Sequence, residues 1–331
     1  MSNASRWLLF RTRLAIFRAK NPGWMLVTII FGMVVVLATF SWPGRLRVSG
    51  RLVAETATVV IDNGIQLEPD LSVEGHIRLD GVGSVLLPPE MRNDALITQS
   101  VTIRAARLTL SEIQAIPGTE LTFDSKAAKS GVNPWLVARG GGTSLQFEAD
   151  APLSVETGAS ILSLNLSVGP LPLVIASDTT EGSYRALSLS GKILGDFEIS
   201  EMPSALSIST LLFGRRSTAP DMSASFTSTI LSGSVKLIDV SREETLEANS
   251  ALQLSNFIGY STYFHKVPQG FQIGFAGTVS RLLVGPAGFA EDVSPTALDY
   301  LYHQERVKLI WGAAITLFAA LWKVRSWFSG K

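Results

Sequence analysis

Three histidines, His76, His265 and His303, are the first candidates for chemistry in this 331-residue chain, because imidazole titrates near neutral pH and ligates metals. They lie far apart, and no His-Glu-x-x-His, Gly-x-Ser-x-Gly, phosphate-cradling glycine loop or calcium-loop pattern accompanies them. Two acidic groups come next. Asp196 and Glu198 alternate with Phe197 and Ile199, which puts both carboxylates on one strand face, where a pair can move protons or hold a cation. In a region this acidic the same spacing also describes a solvated face, and Glu243, Glu244 and Glu247 read the same way. The chain has no cysteine, which excludes thiolate nucleophiles, disulfides and Cys-bound zinc or iron–sulfur clusters. No metal, cofactor or catalytic residue is assigned, and an envelope enzyme has the least support of the functional classes.

One side-chain group has binding character. Tyr260, Tyr263, Phe264, Phe271 and Phe275 fall in two successive strand-like runs. Rings exposed on a sheet stack on sugars or hold acyl chains, whereas the competing reading makes them core or an interfacial belt.

The elements that must position these residues are framed by charge. No Asp or Glu precedes Glu55 and none follows Glu305. Between those two positions 15 Lys and Arg stand against 28 acids, a net charge of about −13. A region that negative repels phosphate backbones, so nucleic acid is excluded as its partner. The flanks are basic: Arg6, Arg11, Arg13, Arg18 and Lys20 on one side, Lys323, Arg325 and Lys331 on the other. Inside them lie two apolar runs. Residues 23–42 are uncharged for about 30 Å of helix, the thickness of a hydrocarbon core. Leu309–Trp322 is shorter, but Lys308 and Lys323 can snorkel, and Trp311, Trp322 and Trp327 suit the interfaces.

Basic flanks on both sides predict that both termini face the cytoplasm and that the acidic middle crosses to the other side. The expected organisation is a basic juxtamembrane segment 1–22, a transmembrane helix 23–42 and an extracytoplasmic domain 45–293. A helix over 295–328 follows, capped at Ser294-Pro295 and spanning at about 307–323, then a basic tail 324–331. The basic residues, Lys331 aside, are expected at anionic headgroups. Thr28 and Gly32 on the first helix, and Gly312, Thr316 and Ala320 on the second, form small-residue rows suited to close helix packing.

The middle reads as strands. Leu71–Leu79, Val101–Ala105, Leu187–Ser190, Ser234–Ile238, Ala251–Leu254 and Gly270–Phe275 alternate apolar with polar residues, and Gly, Pro, Asn and Asp clusters separate them. A weak helical pattern covers Ala127–Leu136. Phe213–Pro220 reads as an exposed loop that could divide two subdomains.

The expected fold class is an all-β ectodomain, an antiparallel sandwich or jelly roll, flanked by N- and C-terminal transmembrane helices. A β-solenoid or open groove is the alternative, suggested by Leu-Ser pairs beginning at Leu162, Leu187, Leu206, Leu231 and Leu254. The function this implies is a non-catalytic, membrane-anchored scaffold of a bacterial inner membrane, its β domain periplasmic. Expected partners are the lipid bilayer and other membrane or periplasmic proteins. A homo-oligomeric two-helix channel is the second reading.

Overall fold

The computed structural model describes residues 44–69, 71–88, 95–140, 142–158, 160–165, 170–177, 186–194, 198–199, 207–217, 225–286 and 289–296, together with 299, 303, 312, 315 and 319. Residues Arg45–Val293 form one compact unit, and Met1–Gly44 with Ser294–Lys331 form another.

Period-two alternation builds the first unit. Leu46, Val48 and Leu52 are buried while Arg47 and Arg51 on the same strand face solvent. A fifteen-stranded sheet repeats this pattern. Its order is Ile161–Leu164, Leu153–Thr157, Ser100–Arg104, His76–Asp80, Leu187–Ser190, Pro134–Arg139, Glu120–Asp124, Thr56–Ile61, Ser207–Leu212, Ile258–Val267, Gly270–Val279, Leu46–Ala54, Ile230–Leu237 and Arg242–Leu246. Glu198–Ile199 adds to Ile258–Val267 off this path. A seven-stranded sheet runs Ile65–Leu67, Arg107–Ala115, Thr143–Asp150, Leu171–Ser177, Val82–Leu86 and Leu96–Ile97, with Leu71–Val73 also on Arg107–Ala115. Ser250–Ser255, Arg281–Pro286 and Glu291–Asp292 make a third sheet.

Each of the two larger sheets buries one face. Ile77, Leu79, Ile103 and Val155 do so in the first, and Leu110, Leu145, Phe147, Leu173 and Ile175 in the second. Every described strand pairing is antiparallel. The all-β, antiparallel expectation therefore holds, and the solenoid does not, because stacked coils pair in parallel. The Leu-Ser echo marks no repeat: Leu162, Leu187 and Leu231 sit at unrelated places in the large sheet, and Leu254 lies in the third. A jelly roll divides eight strands between two sheets, and a fifteen-stranded sheet does not fit that division.

Two local expectations are corrected. The helical turn is Ser125–Ser130, not Ala127–Leu136, and Trp135 and Leu136 belong to the strand Pro134–Arg139. Its limits follow from its caps. Asp124 Oδ1 accepts from the Lys126 and Ala127 N–H groups, both at 3.0 Å, and Gly131 closes the helix at φ 68°, where a side chain would be strained. Phe213–Pro220 is not an exposed loop at its start: Phe213 is buried, and Gly214–Ser217 pairs with Ser225–Ser228 as a hairpin.

That hairpin is tied to the helix cap. Arg215 donates to Asp124 Oδ2 at 2.7 Å and to Thr56 Oγ1 at 3.3 Å. The Thr56 backbone exchanges hydrogen bonds with the buried Thr229 hydroxyl at 3.1 and 3.2 Å, and Lys126 pairs with Glu55 at 2.7 Å.

Near the C-terminus the cap differs from the expected Ser294-Pro295. Thr296 Oγ1 accepts from the Asp299 N–H at 3.2 Å, and Asp299 Oδ2 accepts from the Thr296 N–H at 3.1 Å. This reciprocal capping box places Pro295 ahead of the helix. Asp299, His303, Gly312, Ile315 and Ala319 are helical and exposed. A Cβ on Gly312 would find open space. Among the described residues no helix is long and apolar enough to cross a membrane. Residues 23–42 lie outside the described residues, as do Arg6, Arg11, Arg13, Arg18, Lys20, Thr28, Gly32, Thr316, Ala320, Lys323 and Arg325, and all of 307–323 except 312, 315 and 319.

Candidate binding surface

The five candidate aromatics fall on the hairpin of Ile258–Val267 and Gly270–Val279, beside Leu46–Ala54. The hairpin separates them. Phe264, Phe271 and Phe275 point inward and are at most 2% exposed. Phe264 lies 4.9 Å from Phe271 and 4.8 Å from Phe123, centroid to centroid, and Phe275 packs edge-on against Phe257 at 5.9 Å. These three are core, each worth roughly 2 kcal/mol of burial, and they are removed as ligand-binding candidates. Only Tyr260 and Tyr263 reach the surface.

Simple alternation from Tyr260 would turn Tyr263 inward and Phe264 outward. A register shift between Ser261 and Tyr263 reverses this. The Ser261 hydroxyl sits 3.0 Å from the Gly274 carbonyl and 3.2 Å from that of Tyr263, filling hydrogen-bonding capacity that the bulge opens. Beyond it Tyr263 stands opposite Gly274 and His265 opposite Gln272. Gly274 leaves room for the Tyr263 ring and the Thr262 hydroxyl, both of which a Cβ there would displace.

The outer face gains polar neighbours from elsewhere in the chain. Arg51, opposite Gly274 on the first strand, holds its guanidinium carbon 6.0 Å from the Tyr263 centroid, within cation–π reach. The Gln272 amide, turned to present its oxygen, accepts from Arg51. The His265 ring lies 5.0 Å from Tyr263. Arg51, Tyr263, His265 and Gln272 thus form a surface cluster, with the Glu198 backbone opposite His265 on the next strand. Sequence reasoning missed Arg51 and Gln272 because strand register alone brings residue 51 beside residues 263 and 272. The cluster offers a planar cation, a phenol ring, an imidazole and an amide, groups that stack on and hydrogen-bond to a polar partner surface.

The remaining candidates do not join it. His76 is exposed in the His76–Asp80 strand opposite Arg104, and His303 is exposed on the C-terminal helix. Asp196 lies outside the described residues, so its pairing with Glu198 is not described. Glu244 takes a hydrogen bond from Arg242 at 2.5 Å, and Glu243 stands opposite Lys236. Among the described residues no three His, Asp or Glu side chains come together as a metal site.

No protein-family model, curated protein or solved structure matches this chain.

Proposed function

We propose that this protein is a non-catalytic, membrane-anchored scaffold of a bacterial inner membrane. In this reading its β domain is a sandwich of layered sheets in the periplasm and binds other membrane or periplasmic components through the Arg51–Tyr263 surface. Transmembrane helices over 23–42 and about 307–323 hold it, with both termini in the cytoplasm.

The observation that supports this best is where the chain joins the β unit. Leu46, its first strand residue, stands opposite Val279, and three residues on, the Leu282 carbonyl accepts from the Val293 N–H at 3.0 Å. The unit therefore begins and ends at the same side, as two helices entering one bilayer require. The basic, acid-free flanks support the same orientation.

Topology reporters test the anchoring. A reporter active only in the cytoplasm, fused after Lys331, is expected to be active, and one inserted between Gly118 and Thr119 is expected to be silent. Activity of a strictly periplasmic reporter after Lys331 would remove the second span.

The binding surface has its own test. Arg51→Ala with Tyr263→Ala is expected to cut co-purification of partner proteins about tenfold while leaving the melting temperature within about 4 °C, because Arg51 is exposed and Tyr263 half-exposed on the outer face, away from the core. Unchanged recovery would move the interface elsewhere.

A further inference from the structure

The two edges of the large sheet are built differently. Arg242–Leu246 ends one side with Arg242, Glu243 and Glu244, side chains that keep an edge strand in water. Ile161–Leu164 ends the other with none. Indeed no charged residue occurs from Thr157 to Ser177, within a region of net charge about −13. Among the described residues this edge strand pairs only with Leu153–Thr157. Ile161 is 66% exposed on the outer face. On the inner face Leu162 and Leu164 continue the row of the buried Val155 and Leu153 but are only half-covered. Among the described residues the backbone groups on its outer side have no partner, and the strand carries β-favouring side chains and no proline or charge, the features by which one strand accepts another.

We propose that this edge pairs with the same edge of a second copy of the chain. Charge selects that partner. Two acidic domains repel, and here they can meet without bringing carboxylates together. Antiparallel pairing about a two-fold axis at Ser163 sets Ser163 opposite its counterpart and Leu162 opposite Leu164 in both directions, which completes the leucine row across the junction. The large sheet then runs unbroken through both copies. The contact is short, well under the roughly 1,600 Å² of a standard interface, so it is weak and best read by covalent trapping.

The chain has no cysteine, so one introduced thiol reports alone. Ser163 is exposed, and Ser163→Cys leaves the core untouched. Full-length S163C, mildly oxidised in native membranes or gentle detergent, is expected to give a disulfide-linked homodimer as its main product. Thr245→Cys on the charged edge, also exposed, is expected to give at least fivefold less. Adding Ile161→Lys to S163C is expected to reduce the dimer about fivefold with an unchanged circular dichroism spectrum. Equal trapping at both edges, no effect of Ile161→Lys, or trapping of S163C only to a different protein would each overturn the proposal. None of these outcomes depends on the topology reporters.

Discussion

Asp124→Ala is expected to lower the stability of the β domain by about 2–4 kcal/mol. One carboxylate performs three tasks. Its Oδ1 caps two N–H groups of the helical turn, and loss of such a cap costs about 1 kcal/mol. Its Oδ2 holds Arg215 at 2.7 Å, on the hairpin that follows Phe213. The aspartate side chain is only 21% exposed, so the pair exceeds an open surface bridge, although Arg215 is 48% exposed and solvent weakens it. Truncation also leaves Thr56 Oγ1 and the Arg215 fork with fewer partners.

For a unit of this size the loss corresponds to a fall of about 4–16 °C in melting temperature. Asp124→Asn keeps an equally good cap and gives up only the charge, so about 1 kcal/mol is expected. Thermal unfolding of the two variants beside the parent separates cap from ion pair. Equal losses would mean that the charge carries the whole effect.

Gly277→Val is expected to cost about 3 kcal/mol or more, enough to reduce the folded yield sharply. Gly277 stands directly opposite Gly259, and the Phe257 ring, 1% exposed, covers both. A Cβ on Gly277 would come 2.5 Å from the Ile258 carbonyl oxygen and 2.6 Å from the Gly259 Cα. Both are backbone atoms of a paired strand and cannot turn aside as a side-chain tip can. The added methyls must instead push the sheet apart or displace Phe257 from its edge-on contact with Phe275, which is overpacking at a rigid position. Thr278→Val, one residue on and facing solvent, is the control, expected within about 0.5 kcal/mol of the parent. Denaturant midpoints of both variants decide the matter, and a Gly277→Val loss below 1 kcal/mol would show that the sheet yields there.

Alternation made the fold class readable, since one wetted and one buried face leave a signature in every strand. What it could not carry was which sheet a strand joins. Leu71–Leu79 reads as one run, yet Leu71–Val73 lies in the seven-stranded sheet and His76–Asp80 in the fifteen-stranded one. Gly75 was the signal at that change, because its Cβ would strike the Ala105 carbonyl. Asp124 and Gly131 likewise frame the true helix as cap and stop, whereas Trp135 and Leu136 belong to the strand that follows. The aromatic group misled for a different reason. A bulge changes the facing of every residue after it, and nothing in Ser261-Thr262 announces one. Arg51 was beyond reach of any local pattern.

The strand Leu46–Ala54 carries one more consequence. It is the first strand of the β unit, and both of its partners, Ile230–Leu237 and Gly270–Val279, come near the end. A chain emerging from synthesis must keep this apolar ribbon unsatisfied until almost the whole domain has been made. Contacts so distant along the chain make folding slow, and the waiting strand offers a foreign strand two open sides. Its closure is accordingly a late event, and a chain interrupted anywhere before residue 230 will expose it.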